Sequence, residues 1–390
     1  MIFVKKLGKV LSYVVVALAA GALTLGAYVL WLQPEEEYSK LAELEDLIGE
    51  KFIGQVDETA MEDAAAEAMV DALGDRWSGY MSSEDYAAYR ERMANSYVGI
   101  GITITVREDE VGFDILKVEE TGPAAEAGIL AGDILIAAEG QNVAELGTSG
   151  AKALIQGEEG TQVNVTVLRD GEELNFTVTR KTIDTAVATA RMLEDNIGLV
   201  TIANFNSRCA DESIAAIEQL LEQGAEALIF DLRFNPGGYA SELVDLLDYL
   251  LPEGELFRTV DYKGNEDVDL SDADCLEIPM AVMVNGDSYS AAEFFAAALS
   301  EYEAAVVVGQ PTCGKGYFQQ TYVLEDGSAA TISIGKYYTP NGISLAEAGG
   351  LTPDVTVEVD DDTYWKIYAG TLAPEEDPQL QAAVDALKAG

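Results

Sequence analysis

The chain has 390 residues, with 23 Lys and Arg against 69 Asp and Glu, a formal net charge of −46 and no His. The lack of imidazole excludes a Ser-His-Asp triad, a Cys-His dyad and the histidine-based zinc and iron sites. The acid excess argues against nucleic-acid binding, which depends on clustered Lys and Arg, and it disfavours anionic ligands. The general base of an enzyme with this composition must be Lys, Asp, Glu, Tyr or Cys.

Length and cysteine content bound the architecture. At roughly 150 residues per domain, the length predicts two or three domains. Cys209, Cys275 and Cys313 are too few and too scattered for a disulfide framework or a thiolate zinc site, and we interpret them as small apolar residues. No metal and no cofactor is predicted.

The amino terminus carries a targeting signal. Lys5, Lys6 and Lys9 precede an uncharged apolar segment at residues 10–32. At about 1.5 Å per residue this segment would extend roughly 34 Å, enough to cross a bilayer core. The preceding positive charge predicts a cytoplasmic amino terminus at 1–9, a transmembrane helix at 10–32 and an extracytoplasmic remainder. A cleaved signal peptide is the alternative, and the length of the segment favours a retained single-pass anchor in the cytoplasmic membrane.

The segment at 35–93 is predicted to be helical, because it combines good helix formers with a periodicity of about 3.6 residues. Its Ala-rich faces either pack on a second copy in a homodimer, pack on the rest of the chain, or belong to a plain helical linker. From residue 97 the pattern alternates instead. Strands are predicted at 98–106, 113–118, 131–136, 163–168 and 174–179, with short helices at 122–128 and 149–157.

The stretch 97–183 resembles a PDZ domain. The matching features occur in order: the Gly99-Ile100-Gly101-Ile102 loop, the segment GPAAEAG, and the strand AGDILIAAEGQNV. In that family the glycine loop offers backbone N–H groups to the terminal carboxylate of a peptide, which adds a strand to the sheet edge. The resemblance implies that Gly99, Ile100, Gly101 and Ile102 bind the carboxyl terminus of a partner peptide.

The stretch 190–362 alternates strands and helices, which predicts an α/β domain. Strands are predicted at 197–205, 227–232, 280–284 and 304–308, helices at 212–222, 241–251 and 291–300, and a hairpin at 317–323 and 329–337. The tail at 363–390 ends in an amphipathic helix predicted at 377–388.

Three loops of the α/β stretch carry groups that could do chemistry. In DLRFNPGG at 231–238, the paired glycines suit an oxyanion hole, or simply a tight turn. In NGDSYSAAE at 285–293, a serine at the start of a helix is either a nucleophile or a helix cap.

The third loop, GQPTCGKG at 309–316, nearly matches a phosphate-binding loop. Residue 316 is Gly where that motif needs Ser or Thr, and a strand follows instead of a helix, so we reject an NTPase. Lys315 is either a solvated surface lysine or a buried general base. Burial lowers the pKa of a lysine, and a neutral amine can activate a serine without histidine.

The three loops together resemble the carboxy-terminal processing proteases, also called tail-specific proteases. The resemblance extends over the whole chain and includes the membrane anchor, the PDZ domain and segments such as YYTPNG and LTPDV. It implies a crotonase/Clp-protease-like α/β core. Ser290 takes the place of the family's nucleophile, Lys315 that of its base, and Gln319 that of a glutamine that orients the base. The backbone N–H groups of Gly238 and Ala291 would form the oxyanion hole, with Gly237 as the alternative to Gly238.

Three positions depart from the family pattern. Tyr289 and Ala292 replace the usual Ala and Ser around the nucleophile, and Cys313 stands where Phe is common. None of these changes removes a catalytic group, although Tyr289 and Cys313 lie where they would reshape the adjoining pocket.

The sequence therefore predicts a multidomain serine endopeptidase of the carboxy-terminal processing type. It would cleave extracytoplasmic proteins by a Ser-Lys mechanism and recognise their carboxyl termini through the PDZ domain. Its expected partners are protein or peptide substrates, the membrane through the helix at 10–32, and a second copy through the helical end segments. A catalytically inactive PDZ-based scaffold is the alternative.

Overall fold

The computed structural model describes Gly21, Thr24 and residues 39–107 and 111–389. Within these residues no helix has the length and apolarity needed to cross a membrane. Apart from Gly21 and Thr24, the predicted anchor at 10–32 lies outside the described residues, as does the amino terminus at 1–9. The anchor stays a prediction.

Backbone contacts divide the chain into two units, residues 1–69 and 70–390. The first unit contains helix α1 (Ser39–Lys51) and most of helix α2 (Glu58–Asp71), as the sequence predicts. In α1, Leu41, Leu44 and Leu47 are all exposed. The predicted dimer contact through these helices stays a prediction.

The second unit begins with a feature that the sequence analysis missed. A three-residue strand, β1 (Gly79–Met81), interrupts the predicted helical segment 35–93 before helix α3 (Ser83–Met93). It pairs antiparallel with a strand far along the chain, Gly79 opposite Thr331. The prediction of continuous helix is wrong here, because a partner strand distant in sequence decides the conformation of these residues.

A small β-rich domain follows. Its strands are β2 (Ser96–Gly99), β3 (Ile102–Val106), β4 (Phe113–Val118), β5 (Ile134–Ala138), β6 (Gln141–Asn142), β7 (Gln162–Arg169), β8 (Glu172–Thr179) and β9 (Lys181–Asp184), and its helices are α4 (Pro123–Ala127) and α5 (Val143–Ile155). A sheet in the order β3-β4-β5-β7-β8 encloses a core that includes Phe113, Leu135 and Val165. The strand predicted at 98–106 is broken between β2 and β3, where Gly101 adopts a φ of +76° that a residue with a Cβ rarely takes.

The α/β domain is built on a six-stranded sheet in the order β10-β11-β12-β15-β16-β19. Its strands are β10 (Ala188–Met192), β11 (Ile197–Ile202), β12 (Ala227–Asp231), β15 (Met280–Val284), β16 (Ala305–Gly309) and β19 (Val355–Thr356), and all but β10 run parallel. All five residues of β15 are buried, as expected for a strand with both faces covered.

Helices cover both faces of this sheet. Helices α6 (Cys209–Glu222), α7 (Ala240–Leu250) and α8 (Ala291–Glu301) contribute to the larger core. On the opposite face, Leu380 and Ala383 of the carboxy-terminal helix α11 (Pro378–Ala389) pack with Ile229 and Met283. Along the chain, the short helices α9 (Leu345–Ala348) and α10 (Asp361–Tyr368) come between α8 and α11.

An antiparallel sheet lies beside the core. It contains β13 (Gly254–Asp261), β14 (Glu266–Ser271), β17 (Tyr317–Val323) and β18 (Ala329–Tyr338), and β1 joins it through β18. The hairpin β17–β18 was predicted, whereas the acid-rich hairpin β13–β14 was not. The three loops singled out in the sequence analysis follow β12, β15 and β16 and lead into α7, α8 and β17.

Candidate active site

Ser290 lies at a strained turn between β15 and α8. It is 6 % exposed, and its φ of 59° and ψ of −127° are values that a residue with a side chain rarely adopts. Such backbone costs about 1–3 kcal/mol, and it persists only when the surroundings fix it. Here the side chain of Asn285 fixes the loop by accepting hydrogen bonds from the N–H groups of Phe234 and Asp287. The serine is thereby held at the amino end of a buried helix.

The glycine loop after β12 packs against Ser290. The N–H of Gly237 donates to Asn235 Oδ1 at 2.8 Å. Among the described residues, neither the N–H of Gly238 nor that of Ala291 donates to any acceptor. A Cβ added to Gly237 would stand 2.8 Å from both Ala291 N and Ser290 Cβ, so the absence of a side chain keeps this space open. Two free backbone donors therefore remain beside the serine, and Gly237 is not one of them.

Glu293 joins the serine turn to the lysine loop. Its carboxylate is completely buried. One oxygen, Oε2, accepts hydrogen bonds from Ser290 N at 2.9 Å and from Lys315 N at 2.8 Å. The other, Oε1, accepts from Gly314 N and from the hydroxyl of Thr312. This one carboxylate thus fixes both loops relative to each other.

The side chain of Lys315 lies in a desolvated, aromatic environment. Burial lowers its pKa below the ordinary lysine value, and this outweighs the opposite effects of Cys313, Glu293 and Asp75. Its Nζ lies 4.8 Å from the ring centroid of Trp77 and 5.8 Å from that of Tyr289. A lysine in this state can be neutral at a lower pH than a solvated one.

Gln319 of β17 lies in the same cavity as Ser290 and Lys315, but it does not contact the lysine amine. Its Nε2 donates to Tyr317 O at 3.1 Å and to Ser333 Oγ at 3.0 Å. Within the described part of the chain, no hydrogen bond joins Lys315 Nζ to Gln319 or to Ser290. The predicted orienting role of Gln319 stays a prediction.

A cavity of about 1310 Å³ contains these groups. It is lined by Ser290, Lys315, Gln319, Gly237 and Gly238, among other residues. Across the residues that the structure describes, no cluster of Cys, Asp and Glu could hold a metal ion. The cavity brings together a serine, a buried lysine and free backbone N–H donors, and this combination suits acyl transfer.

A second cavity, of about 540 Å³, lies between β3 and α5 of the β-rich domain and helix α3. Three of the four predicted loop residues line it, Ile100, Gly101 and Ile102, whereas Gly99 does not. Neither Ile100 N nor Gly101 N donates to a described residue. The two cavities share Glu91, Arg92 and Ser96 as lining residues, so they adjoin.

The sequence analysis missed several residues that line the cavity around Ser290, and two of them are Trp77 and Arg92. Trp77 and Arg92 come from the segment before the β-rich domain, which the sequence presented only as helix. A sharper signal was available for Trp77, since a tryptophan in the short run GDRWSGY between two helical patterns is unusual for a linker.

Comparison with known proteins identifies both folded domains. Residues 196–357 match peptidase family S41, and residues 98–179 match the PDZ domain family. The carboxy-terminal processing protease CtpA of Bacillus subtilis is 30% identical over 330 residues, covering 84% of this chain and 70% of that protein. The carboxyl-terminal-processing protease of Synechocystis is 29% identical over 333 residues, covering 84% and 77%.

A solved structure shares the fold. The S41 protease of Bacteroides fragilis superposes with a TM-score of 0.51 at 17% identity, covering 83% of this chain and 90% of that one. The domain matches and the sequence relatives show that this chain belongs to the carboxy-terminal processing protease family of serine proteases. It is a multidomain protease that combines a PDZ domain with an S41 core.

Proposed function

We propose that the chain is an extracytoplasmic, membrane-anchored endopeptidase that uses Ser290 as nucleophile and Lys315 as general base. Its substrates would be proteins whose carboxyl termini enter the PDZ cavity beside Ile100, Gly101 and Ile102. The two free N–H groups of that loop support this role, because they suit a terminal carboxylate. The adjoining catalytic cavity supports it as well.

The proposed reaction uses the groups that these loops carry. Neutral Lys315 takes the proton of the Ser290 hydroxyl as Oγ attacks the peptide carbonyl. The N–H groups of Gly238 and Ala291 stabilise the oxyanion, each contributing roughly 2.7–4 kcal/mol. The lysine then returns its proton to the leaving amine, and water hydrolyses the acyl-enzyme. Gln319 would orient the lysine when substrate is present.

The observation that carries this proposal is the buried Glu293 carboxylate between Ser290 N and Lys315 N. The contact with Ser290 N is part of a capping box that begins α8, whereas the contact with Lys315 N goes beyond helix capping and ties the lysine loop to the serine turn. The desolvation of Lys315 points the same way, since it lowers the pKa of the amine toward the range of a working base.

The test is cleavage of an unfolded protein by the purified full-length chain, compared with Ser290→Ala and Lys315→Ala. We expect wild-type cleavage to rise with pH as Lys315 loses its proton, and each variant to lose at least 10³-fold in kcat. Activity that survives either substitution would contradict the dyad. If all three proteins are inactive yet still bind carboxyl-terminal peptides, the protein is a scaffold instead.

A further inference from the structure

A turn from the segment before the PDZ domain reaches the catalytic lysine. Residues 75–78 lie between α2 and β1, and they place the Trp77 ring against the Lys315 side chain. The ring of Tyr289, next to the nucleophile, lies 6.0 Å from the Trp77 ring and inclined to it by 33°. The lysine amine thus lies near two aromatic rings, those of Trp77 and Tyr289, which come from segments far apart in the sequence.

We propose that Trp77 is a positioning residue for Lys315: with Tyr289 it forms an aromatic cover that holds the lysine amine in the cavity and keeps water away from it. The proposal rests on Lys315 being the general base of the proposed function. It adds a residue outside both the S41 match and the PDZ match to the apparatus of that reaction.

The turn that presents Trp77 is fixed to the catalytic sheet. The Ser78 hydroxyl donates to Asp75 Oδ2 at 2.6 Å and accepts from Ser333 N of β18 at 3.0 Å. The same Ser333 accepts from Gln319 Nε2 through its hydroxyl. The turn is therefore tied to the strand that supports Gln319, and Trp77 has a defined place relative to Lys315.

Two of the three departures from the family pattern, Tyr289 and Cys313, lie at this cover. Tyr289 supplies one of its rings. Cys313 accepts a weak hydrogen bond from Arg76 Nη2, with the Sγ atom 3.6 Å away. The Arg76 guanidinium lies 4.1 Å from the centroid of the Trp77 ring. The Trp77 indole therefore contacts two cations, Arg76 and Lys315, and both cation–π contacts hold it in place.

The cover has two effects of opposite sign on the lysine. An aromatic face attracts the protonated ammonium, which favours the charged form. Exclusion of water disfavours that form, and burial is the largest influence on the pKa of Lys315. The charged or titratable groups that face it are Glu293, Cys313, Asp75, Arg76 and the Tyr289 phenol. Because exclusion of water dominates, loss of the cover shifts the lysine toward its ordinary, higher pKa.

The first test reads the contact without any catalysis. The chain contains three tryptophans, and in a Trp31→Phe/Trp365→Phe variant of the full chain only Trp77 remains. We expect its fluorescence to change through a transition below the ordinary lysine range, and this transition to vanish on adding Lys315→Met. The same titration in a Cys313→Ser variant shows whether the transition arises from the Cys313 thiol instead of the lysine. A transition that persists in Lys315→Met, or none in the parent variant, overturns the proposal.

The second test measures the rate. Trp77→Ala should raise the apparent pKa of kcat/KM by about one unit and lower kcat/KM at neutral pH about tenfold. Each unit by which the pKa of Lys315 rises reduces the fraction of neutral lysine about tenfold. Trp77→Phe should restore most of both, and Tyr262→Ala, which removes an exposed ring beside Lys263, is the matched control with no effect. A fall in rate without a shift of the pH profile would reduce Trp77 to a structural role and overturn the proposal.

The two tests separate this inference from the proposed function. A fluorescence transition that depends on Lys315 in a protein without proteolytic activity supports the cover and contradicts only the dyad. Activity that depends on Ser290 and Lys315 but is indifferent to Trp77→Ala supports the dyad and contradicts only the cover.

Discussion

A single buried carboxylate, that of Glu293, links the turn of the proposed nucleophile Ser290 to the loop of the proposed base Lys315. Glu293 offers four acceptor positions, and the four donors around it come from the serine turn and from residues 312–315. A carboxylate suits this position because it only accepts hydrogen bonds, whereas an amide of the same shape would turn donors toward donors. The residue acts through the backbone of Ser290 and Lys315 and not on the substrate.

We expect Glu293→Gln to lower kcat about a hundredfold with a smaller change in KM. Loss of a hydrogen bond to a charged group costs about 1.5–3 kcal/mol. Here the lost hydrogen bonds are those that hold both loops, so both loops should shift. Steady-state kinetics and urea unfolding measure the two effects. Glu301→Gln is the matched control, because Glu301 ends the same helix and accepts from Thr339 Oγ1 and Asn341 N away from the cavity. An unchanged kcat in Glu293→Gln would contradict this role.

At the scale of elements, the carboxy-terminal helices pack against the 231–238 loop, which carries the proposed oxyanion donor Gly238. Arg233, 5% exposed, pairs with Asp231 at 2.6 Å and with Asp377 at 2.9 Å, just before α11. Phe234 has a φ of 63°, an unfavourable value for a bulky residue, and its ring packs on Tyr364 and Tyr368 of α10 at 5.0 and 5.2 Å. Packing by the two helices offsets the strain of the loop.

We expect Asp377→Asn to destabilise the protein by about 2 kcal/mol and to lower kcat about tenfold. Breaking a buried ion pair costs about 3–5 kcal/mol when a charge is left alone, and Arg233 retains Asp231, which reduces the loss. Chemical denaturation and peptide cleavage measure the result. Asp362→Asn removes an exposed ion pair with Lys366 on α10 and should change neither quantity appreciably. Equal effects of the two substitutions would show that the helices do not support the loop.

At the scale of the whole molecule, the distribution of charge is uneven. Acidic residues outnumber basic ones threefold, yet Arg90, Arg92 and Lys152 line the two cavities and form no ion pair with any described residue. Arg92 lines both cavities. The chain as a whole disfavours anionic ligands, but we expect these unpaired bases to be available locally and to favour substrates with acidic carboxy-terminal segments.

We expect Arg92→Gln to raise KM up to about fivefold for peptides with Asp or Glu near the carboxyl terminus, as for one exposed ion pair. The difference should shrink at high salt, because exposed charges are screened. Peptides with Asn or Gln at the same positions should respond little. Arg191→Gln is the control, since that exposed arginine of β10 lines neither cavity. An equal response of acidic and neutral peptides would contradict the assignment.

The sequence predicts best where the local pattern is strong. The five apolar residues of β15 and the Asp170-Gly171 turn between β7 and β8 define their elements without help from the rest of the chain. Strand β1 and the hairpin β13–β14 have no such pattern, because pairing with β18 creates them. Family resemblance indicates Ser290 and Lys315, while the neighbours of Lys315 that lie far from it in sequence, Asp75 and Trp77, emerge only from the fold.

The hydrogen bond from Ser333 to Ser78 has a consequence for the order of assembly. It spans 255 positions of the chain, and the pairing of β1 with β18 encloses everything between. Closing so long a loop is entropically costly and occurs after local structure has formed. During synthesis, the turn bearing Trp77 has no docking strand until the ribosome has passed residue 333. The surroundings of Lys315 are therefore completed only after most of the polypeptide has been made.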